Sequence, residues 1–199
     1  MPHRTISLKY FPSLVLALLM ALPIAAWAEP QTAPEKSVFL VATNHLDGTG
    51  FQETVILLTH FGPGGSATGL ALNRPTDIPL GQAFPGIEQL REMSEPLYMG
   101  GPVNTRGIFV LLRTQQPQRG MMHVVEDVYL LAGDHAFNQP LVGKMRTFAG
   151  YAGWAPGQLQ GEIDRGDWQV VREDPALIFD GDTASLWQRL VKAWSGDWI

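Results

Sequence analysis

The sequence has 199 residues, of which 45% are hydrophobic and 17% charged, a composition typical of one globular domain. It contains no cysteine, which excludes disulfides, thiolate zinc sites and a cysteine nucleophile. Its formal net charge is −5, and this acidity argues against nucleic-acid binding, because nonspecific affinity for phosphate backbones comes mostly from lysine and arginine.

The first 28 residues have the three parts of a secretory signal peptide. Arg4 and Lys9 give a positive start, residues 14–24 form an apolar run, and Ala26-Trp27-Ala28 is a small-x-small cleavage motif. The run contains a proline and is shorter than the ~20 residues that a membrane-spanning helix needs. We therefore predict cleavage after Ala28, a periplasmic or secreted protein, and no stable membrane span after cleavage. The mature part keeps 12 of the 14 basic residues and all 19 acidic ones, a formal charge of −7.

The first half of the mature chain predicts a flexible arm followed by three strands. Residues 29–36 are polar with two prolines, which indicates a linker to a single domain at residues 37–199. Apolar runs, separated by glycine-rich turns, predict strands at residues 38–42, 54–59 and 67–72. The second of these is apolar throughout, as expected of a strand that is buried on both faces.

The middle of the chain alternates short strands with helical turns. Short apolar runs predict strands at residues 97–99, 108–112 and 124–131. Helical turns are predicted at residues 79–92, with a break at Pro85-Gly86, and at residues 134–137.

Residues 150–157 mix large aromatic side chains with glycines. Glycine allows close approach of backbones and aromatic side chains bury large areas, so we predict a tight structural corner. Its residues are Tyr151, Gly153, Trp154 and Gly157. After the corner we predict a helix at 156–165, a strand at 168–171, a turn or short helix at 174–179, and an amphipathic helix capped by Asp182 or Thr183.

Several short strands, irregular helices and many glycine and proline turns together indicate an α+β fold rather than a regular series of βαβ units. One core is sufficient at this chain length.

Five groups of residues, in a fixed order, carry a family resemblance. They are Phe51 with Thr54-Val55-Ile56-Leu57-Leu58, the segment from Gly69 to Pro75, Gly100-Gly101-Pro102-Val103, the segment from Gly150 to Leu159, and Glu162-Ile163 with Trp168. This set resembles the AlgH family of bacterial proteins, also called the YqgE family, over residues 38–179. The resemblance implies an α+β fold in which a split β-sheet curls into a pseudo-barrel with short helices packed around it.

The family name implies regulation of transcription of the genes for alginate synthesis. Two departures separate this sequence from the family pattern. Members usually have Glu where this chain has Gln160, and they are typically cytoplasmic proteins without an export signal.

The segment Gly100-Gly101-Pro102 is a candidate for anion binding. Successive glycine amides can form a concave nest for an anion, and Arg74 can pair with a carboxylate or phosphate. Asn73 and Gln158 would add orienting hydrogen bonds. The alternative is that Gly-Gly-Pro makes a turn and that Asn73-Arg74-Pro75 ends a strand.

The aromatic and acidic residues of the last third allow two interpretations each. Tyr151 and Trp154 can stack on the ring of a ligand, or they can fill a notch in the core. Glu162 can act as a general base, or it can be a solvated or capping carboxylate.

Signatures of catalysis are absent from the sequence. His123 with Glu126 and Asp127 offers ligand types without a recognised spacing, so no metal and no cofactor is predicted. Neither a Gly-x-Ser-x-Gly elbow nor a Gly-Lys-Ser/Thr phosphate loop occurs.

We therefore predict an exported, non-enzymatic domain of the AlgH family that binds a partner protein or has a structural or regulatory role. One alternative is a small-molecule binder or unrecognised enzyme that uses Asn73, Arg74, Gly100, Gly101 and Gln158. Another is the transcriptional regulator that the family name implies, without direct nucleic-acid contact. No oligomeric state is predicted.

Overall fold

A computed structural model describes residues 37–195, which form one ten-stranded sheet with short helices around it. The strands are β1 (Ser37–Ala42), β2 (Val55–Phe61), β3 (Ala67–Ala71), β4 (Pro75–Pro79), β5 (Pro96–Met99), β6 (Val103–Arg113), β7 (Met122–Val125), β8 (Val128–Ala132), β9 (Lys144–Trp154) and β10 (Trp168–Glu173). The α-helices are α1 (Leu80–Ala83), α2 (Gln158–Asp164) and α3 (Leu186–Ser195). Short 3₁₀ helices lie at Asn44–Leu46, Pro63–Gly65, Glu88–Leu90, Asp134–Phe137 and Pro175–Phe179. The predicted signal peptide and arm lie outside the described residues.

The sheet is antiparallel except at one pair of strands. Its order is β10-β1-β2-β3-β9-β6-β8-β7, with β5 added parallel to β9 and β4 added to β5. Strand β9 joins the two parts, because Ala152–Trp154 pair with β3 while residues 144–149 pair with β6. The sheet curls into a half-barrel, which confirms the predicted α+β class with a split, curled sheet.

The core follows from strands that are apolar on both faces. Along β2 the side chains of Val55 and Leu57 join the cluster inside the half-barrel, together with Phe148 of β9. The alternate residues Ile56 and Leu58 pack on the other face, against Trp154 and Trp168. A strand buried on both faces reads as a continuous apolar run, and this confirms the prediction for residues 54–59.

Three strand predictions need correction. The run predicted as one strand at 124–131 forms two, β7 and β8, because the chain reverses at Glu126, whose φ is +45°. Strand β6 begins at Val103, well before the predicted start, and β4 had no counterpart among the predictions. Prolines at both ends of β4 hid it, since proline is tolerated only at strand ends and sheet edges.

The predicted corner is not a corner for most of its length. Tyr151, Gly153 and Trp154 belong to β9, which pairs with neighbouring strands on both sides and bends at Gly150, where φ is +70°. The chain turns only at Gly157, whose φ of +76° precedes α2. Glycine and aromatic residues here allow strands to cross closely.

The helices of the C-terminal part match their predictions. Helix α2 starts two residues later than predicted, and the short helix over Pro175–Phe179 is capped by Asp174, whose Oδ1 accepts from the Ala176 amide at 2.7 Å. Ahead of α3, the Ser185 amide donates to Oδ1 of Asp182 at 3.2 Å. Within residues 37–195, every helix is too short or too polar to cross a membrane.

Candidate functional site

Two of the predicted binding residues, Arg74 and Gly101, line one cavity of about 380 Å³, which we call the Arg74 cleft. Its walls come from the turn before β2, the junction of β3 with β4, and the connection from β5 to β6. The complete lining is Gly50, Phe51, Thr54, Ala71, Arg74, Pro75, Met99, Gly101, Pro102 and Thr105.

The Arg74 side chain is held by the wall of the cleft. Its Nη2 donates to the Gln52 carbonyl and, at 2.7 Å, to Oγ1 of Thr54. Its backbone carbonyl accepts from the Met99 amide at 2.8 Å, which fixes the β3–β4 junction beside β5. Part of the guanidinium fork thus has a structural role, and Nε and Nη1 have no partner among residues 37–195.

The two glycines of the β5–β6 connection are needed where this segment crosses β9. A Cβ on Gly100 would overlap the carbonyl oxygen of Gly150, and one on Gly101 would overlap the backbone of Tyr151 and Ala152. The Gly100 amide donates to the Ala149 carbonyl at 2.9 Å. It is therefore engaged in the sheet, and only Gly101 lines the cleft.

The structure does not bring Asn73 or Gln158 into the lining of the cleft. Asn73 closes the start of β2, since its Oδ1 accepts from the Val55 amide at 2.9 Å and its Nδ2 donates to the Glu53 carbonyl at 2.8 Å. Gln158 lies in α2, where its Oε1 accepts from the Ala155 amide at 3.0 Å and its Nε2 donates to Glu162 at 2.9 Å. Asn73 thus ties the end of β3 to the start of β2, and Gln158 makes hydrogen bonds within and just before its own helix.

Glu162 is the centre of a hydrogen-bond cluster behind β9. One carboxylate oxygen accepts from the indole nitrogens of Trp154 at 2.7 Å and Trp168 at 2.9 Å, and the other accepts from Gln158. Trp154 is 6% exposed and fills the core. Tyr151 instead packs edge-on against Phe109 and lines a different cavity of about 330 Å³.

The lining of the Arg74 cleft is largely apolar. Among residues 37–195, Arg74 is the only one with an ionisable side chain in this lining. Hydroxyl groups come from Thr54 and Thr105, and the rest of the wall is apolar or glycine.

Sequence reasoning missed the apolar part of this cleft. Met99 lies in a predicted strand, yet 39% of its surface is exposed, and Thr105 lies in the part of β6 that was not predicted. An exposed methionine next to Gly-Gly-Pro was the available signal, because methionine is common at adaptable binding surfaces. Among residues 37–195, no group of three or more His, Asp or Glu side chains is arranged to hold a metal ion.

Comparisons with known proteins agree with this fold. The profile of the AlgH-like family matches residues 39–199. A UPF0301 protein of Chlorobium luteolum is 31% identical over 166 residues, covering 80% of this chain and 85% of its own length. A UPF0301 protein of Mycobacterium avium is 32% identical over 163 residues, covering 78% and 80%.

Two solved structures are similar to this one. The solution structure of the AlgH protein from Pseudomonas aeruginosa superposes with a TM-score of 0.67 at 25% identity, over 84% of this chain and 93% of that one. A crystal structure of a protein from Corynebacterium diphtheriae gives a TM-score of 0.62 at 24% identity, over 83% and 90%. The second likeness concerns the fold alone.

Proposed function

This chain belongs to the AlgH-like family, and we propose that it is an exported member that acts by binding a partner protein through the Arg74 cleft rather than by catalysis. The observation that carries the proposal is the lining of the cleft, in which one arginine stands in an otherwise apolar and hydroxyl-bearing wall. Such a wall suits an apolar side chain of the partner, with an acidic group beside it for Arg74.

Exposure of the rim supports a macromolecular partner. Met99 and Val103 are 39% and 38% exposed on either side of Gly100-Gly101-Pro102. An exposed apolar side chain on the wall of a concave surface, such as that of Met99, is typical of contact sites between proteins. A small organic anion is the second candidate, favoured by the meeting of Arg74 and Gly101 in one cleft.

Regulation of transcription by direct DNA contact is not part of the proposal. The mature sequence carries a formal charge of −7, whereas DNA-binding surfaces are rich in lysine and arginine. Export would also separate the protein from the chromosome.

The first prediction concerns export. In its native cells the protein is expected to lose residues 1–28, so that intact-mass analysis of the purified protein finds Glu29 as its first residue. Fractionation should recover it outside the cytoplasm, and a variant that lacks residues 2–28 should stay inside. Recovery of the uncut chain from the cytoplasm would contradict the proposed export. Regulation of transcription, the alternative that the family name implies, would then be compatible with the location of the protein.

The second prediction tests the cleft as the contact surface. A photoreactive p-benzoylphenylalanine in place of Met99 is expected to form a covalent adduct of defined mass with one other protein in living cells. The same amino acid in place of Met122, which is 41% exposed on β7, serves as the matched control and should not form it.

Arg74→Ala in the Met99-labelled protein should reduce this adduct about tenfold, since a charge-assisted contact is lost. Arg119→Ala removes the same charge from an exposed loop and should leave the adduct unchanged. Equal adducts from both labelled positions, or no effect of Arg74→Ala, would contradict the proposal. The small-anion alternative would be favoured by two results together. No adduct would form in cells, and the purified protein would bind a carboxylate that the Arg74→Ala variant does not bind.

A further inference from the structure

Arg146 is a buried arginine that has no carboxylate partner within residues 37–195. It lies on β9 with 8% of its surface exposed. Its Nη2 donates to the backbone carbonyl of Asp180 at 2.5 Å, and the Tyr98 ring lies against the guanidinium, 4.6 Å from Cζ to the ring centroid. Its Nη1 has no hydrogen-bond partner within residues 37–195.

The carboxylate of Asp180, whose backbone carbonyl Arg146 contacts, is engaged elsewhere. Its Oδ2 accepts from Arg189 at 2.6 Å and its Oδ1 accepts from the Asp182 amide at 3.0 Å. Burial lowers the pKa of the Arg146 guanidinium, against smaller opposing effects of Tyr98 and Asp180. Removing an arginine from water is costly unless a paired anion compensates, so this site is electrostatically incomplete.

A cavity of about 450 Å³ lies beside this arginine. It opens because β5 pairs with β9 only at Phe148 and Ala149, which leaves the side of β9 at residues 144–147 without a strand neighbour. Lys144 adds a second positive charge to the lining, and Glu95 adds one negative charge. Most of the remaining wall is apolar, with contributions from Leu80, Met93, Tyr98, Met145 and Phe179.

We propose that this cavity, which we call the Arg146 cavity, binds a small organic carboxylate with an aromatic or aliphatic body. The carboxylate would pair with Arg146 and Lys144, and the body would lie against Met93, Tyr98 and Phe179. Arginine binds a carboxylate through its fork of donors, and the volume falls within the 300–1,000 Å³ that small-molecule pockets occupy.

The remaining polar groups restrict the ligand class. Glu95 on the lining repels a second negative charge, which disfavours polyphosphates and dicarboxylates. Thr147 also carries a buried hydroxyl without a partner in the described part of the chain. Thr147 belongs to the lining of the cavity, next to Arg146 on β9. The Arg146 cavity and the Arg74 cleft share no lining residue, so this site is independent of the proposed partner surface.

The third prediction uses benzoate and hexanoate as probes of the purified protein. Both are expected to bind in calorimetry, to raise the melting temperature, and to shift the backbone amide NMR signals of residues 143–147. Benzyl alcohol, which keeps the ring and lacks the charge, should bind about tenfold more weakly or less. Inorganic phosphate, which has no apolar body, should also bind more weakly than benzoate.

Variants of the two cationic residues locate the site. Arg146→Lys keeps the charge and removes the fork, and Lys144→Gln changes an exposed residue without disturbing the core. Benzoate affinity should fall about tenfold or more in the first and about threefold in the second. Lys192→Gln, the same exchange at an exposed position of α3, should change nothing.

Lys144→Gln keeps the proposal testable if Arg146→Lys fails to fold. Three results would overturn it: no binding of benzoate at millimolar concentration, equal binding of benzyl alcohol, or NMR shifts away from residues 143–147. A crystal structure with benzoate in the medium and an ordered water alone on Nη1 of Arg146 would overturn it as well. None of these results bears on the Arg74 cleft.

Discussion

Gly101→Ala is expected to lower the free energy of unfolding by about 3 kcal/mol or more. The new Cβ would overlap the carbonyl carbon of Tyr151 and the amide nitrogen of Ala152. These are backbone atoms in the middle of β9 and cannot rotate away, unlike the end of a flexible side chain. The φ of Gly101, +155°, adds strain for any residue with a Cβ. Urea denaturation followed by tryptophan fluorescence measures the loss.

Gly100→Ala should behave in the same way, because its Cβ would overlap the carbonyl oxygen of Gly150. Gly86→Ala is the matched control, since no atom lies within 4 Å of the added Cβ and the loop tolerates a side chain. We expect the control to change the free energy of unfolding by less than about 0.5 kcal/mol. Equal urea midpoints for the Gly101 and Gly86 variants would show that β9 does not pass this close to the β5–β6 connection.

These glycines also show where sequence reasoning reached its limit. The chemistry of Gly-Gly-Pro predicts a turn, and the chain bends at Pro102, but the reason for glycine is a backbone about 50 residues further along the chain. The same holds for Gly150, which was read as part of a corner although it is the bend of a long strand. Local composition indicates that another backbone segment lies close to these glycines, but it does not identify that segment.

The strands were predicted well where burial alone decides them. Residues 38–42 and 54–59 are mostly apolar and form the interior strands β1 and β2, which are buried on both faces. Strand β4 and the first part of β6 are largely exposed, and their strand geometry comes from pairing with β5 and β9. Such strands depend on tertiary contacts, which the pattern of apolar residues along the sequence does not indicate.

The candidate binding residues fall into two groups: those that the structure brings together in one cleft and those that it places elsewhere. Arg74 and Gly101 lie in one cleft although the sequence separates them by 27 positions, as the anion-site hypothesis requires. Asn73 and Gln158 are polar residues of the same kind, yet Asn73 hydrogen-bonds the start of β2 and Gln158 hydrogen-bonds residues in and before α2. From the sequence alone, a charged residue between Met145 and Phe148, such as Arg146, resembles an ordinary exposed position of a strand. Its burial depends on Tyr98 from another strand.

Glu162→Ala is expected to lower the free energy of unfolding by about 2–4 kcal/mol. The substitution removes the acceptor of two indole N–H groups, those of Trp154 and Trp168, which are 6% and 3% exposed. A buried donor left without an acceptor costs about 1–3 kcal/mol, and here two donors lose theirs together. The Gln158 amide loses its partner as well, at a more exposed position.

Glu162→Gln separates the structural role of this residue from the general-base role considered for it. A glutamine keeps one carbonyl oxygen for the indoles, so we expect it to lose about half as much stability as alanine. Gln160→Ala, on the exposed side of α2 and bonded only to Asp164, is the control and should stay within about 0.5 kcal/mol. The indole N–H signals of Trp154 and Trp168 should move in NMR spectra of both Glu162 variants. Unmoved indole signals with unchanged stability would mean that the carboxylate is free for chemistry, because it would not be holding the two tryptophans behind β9.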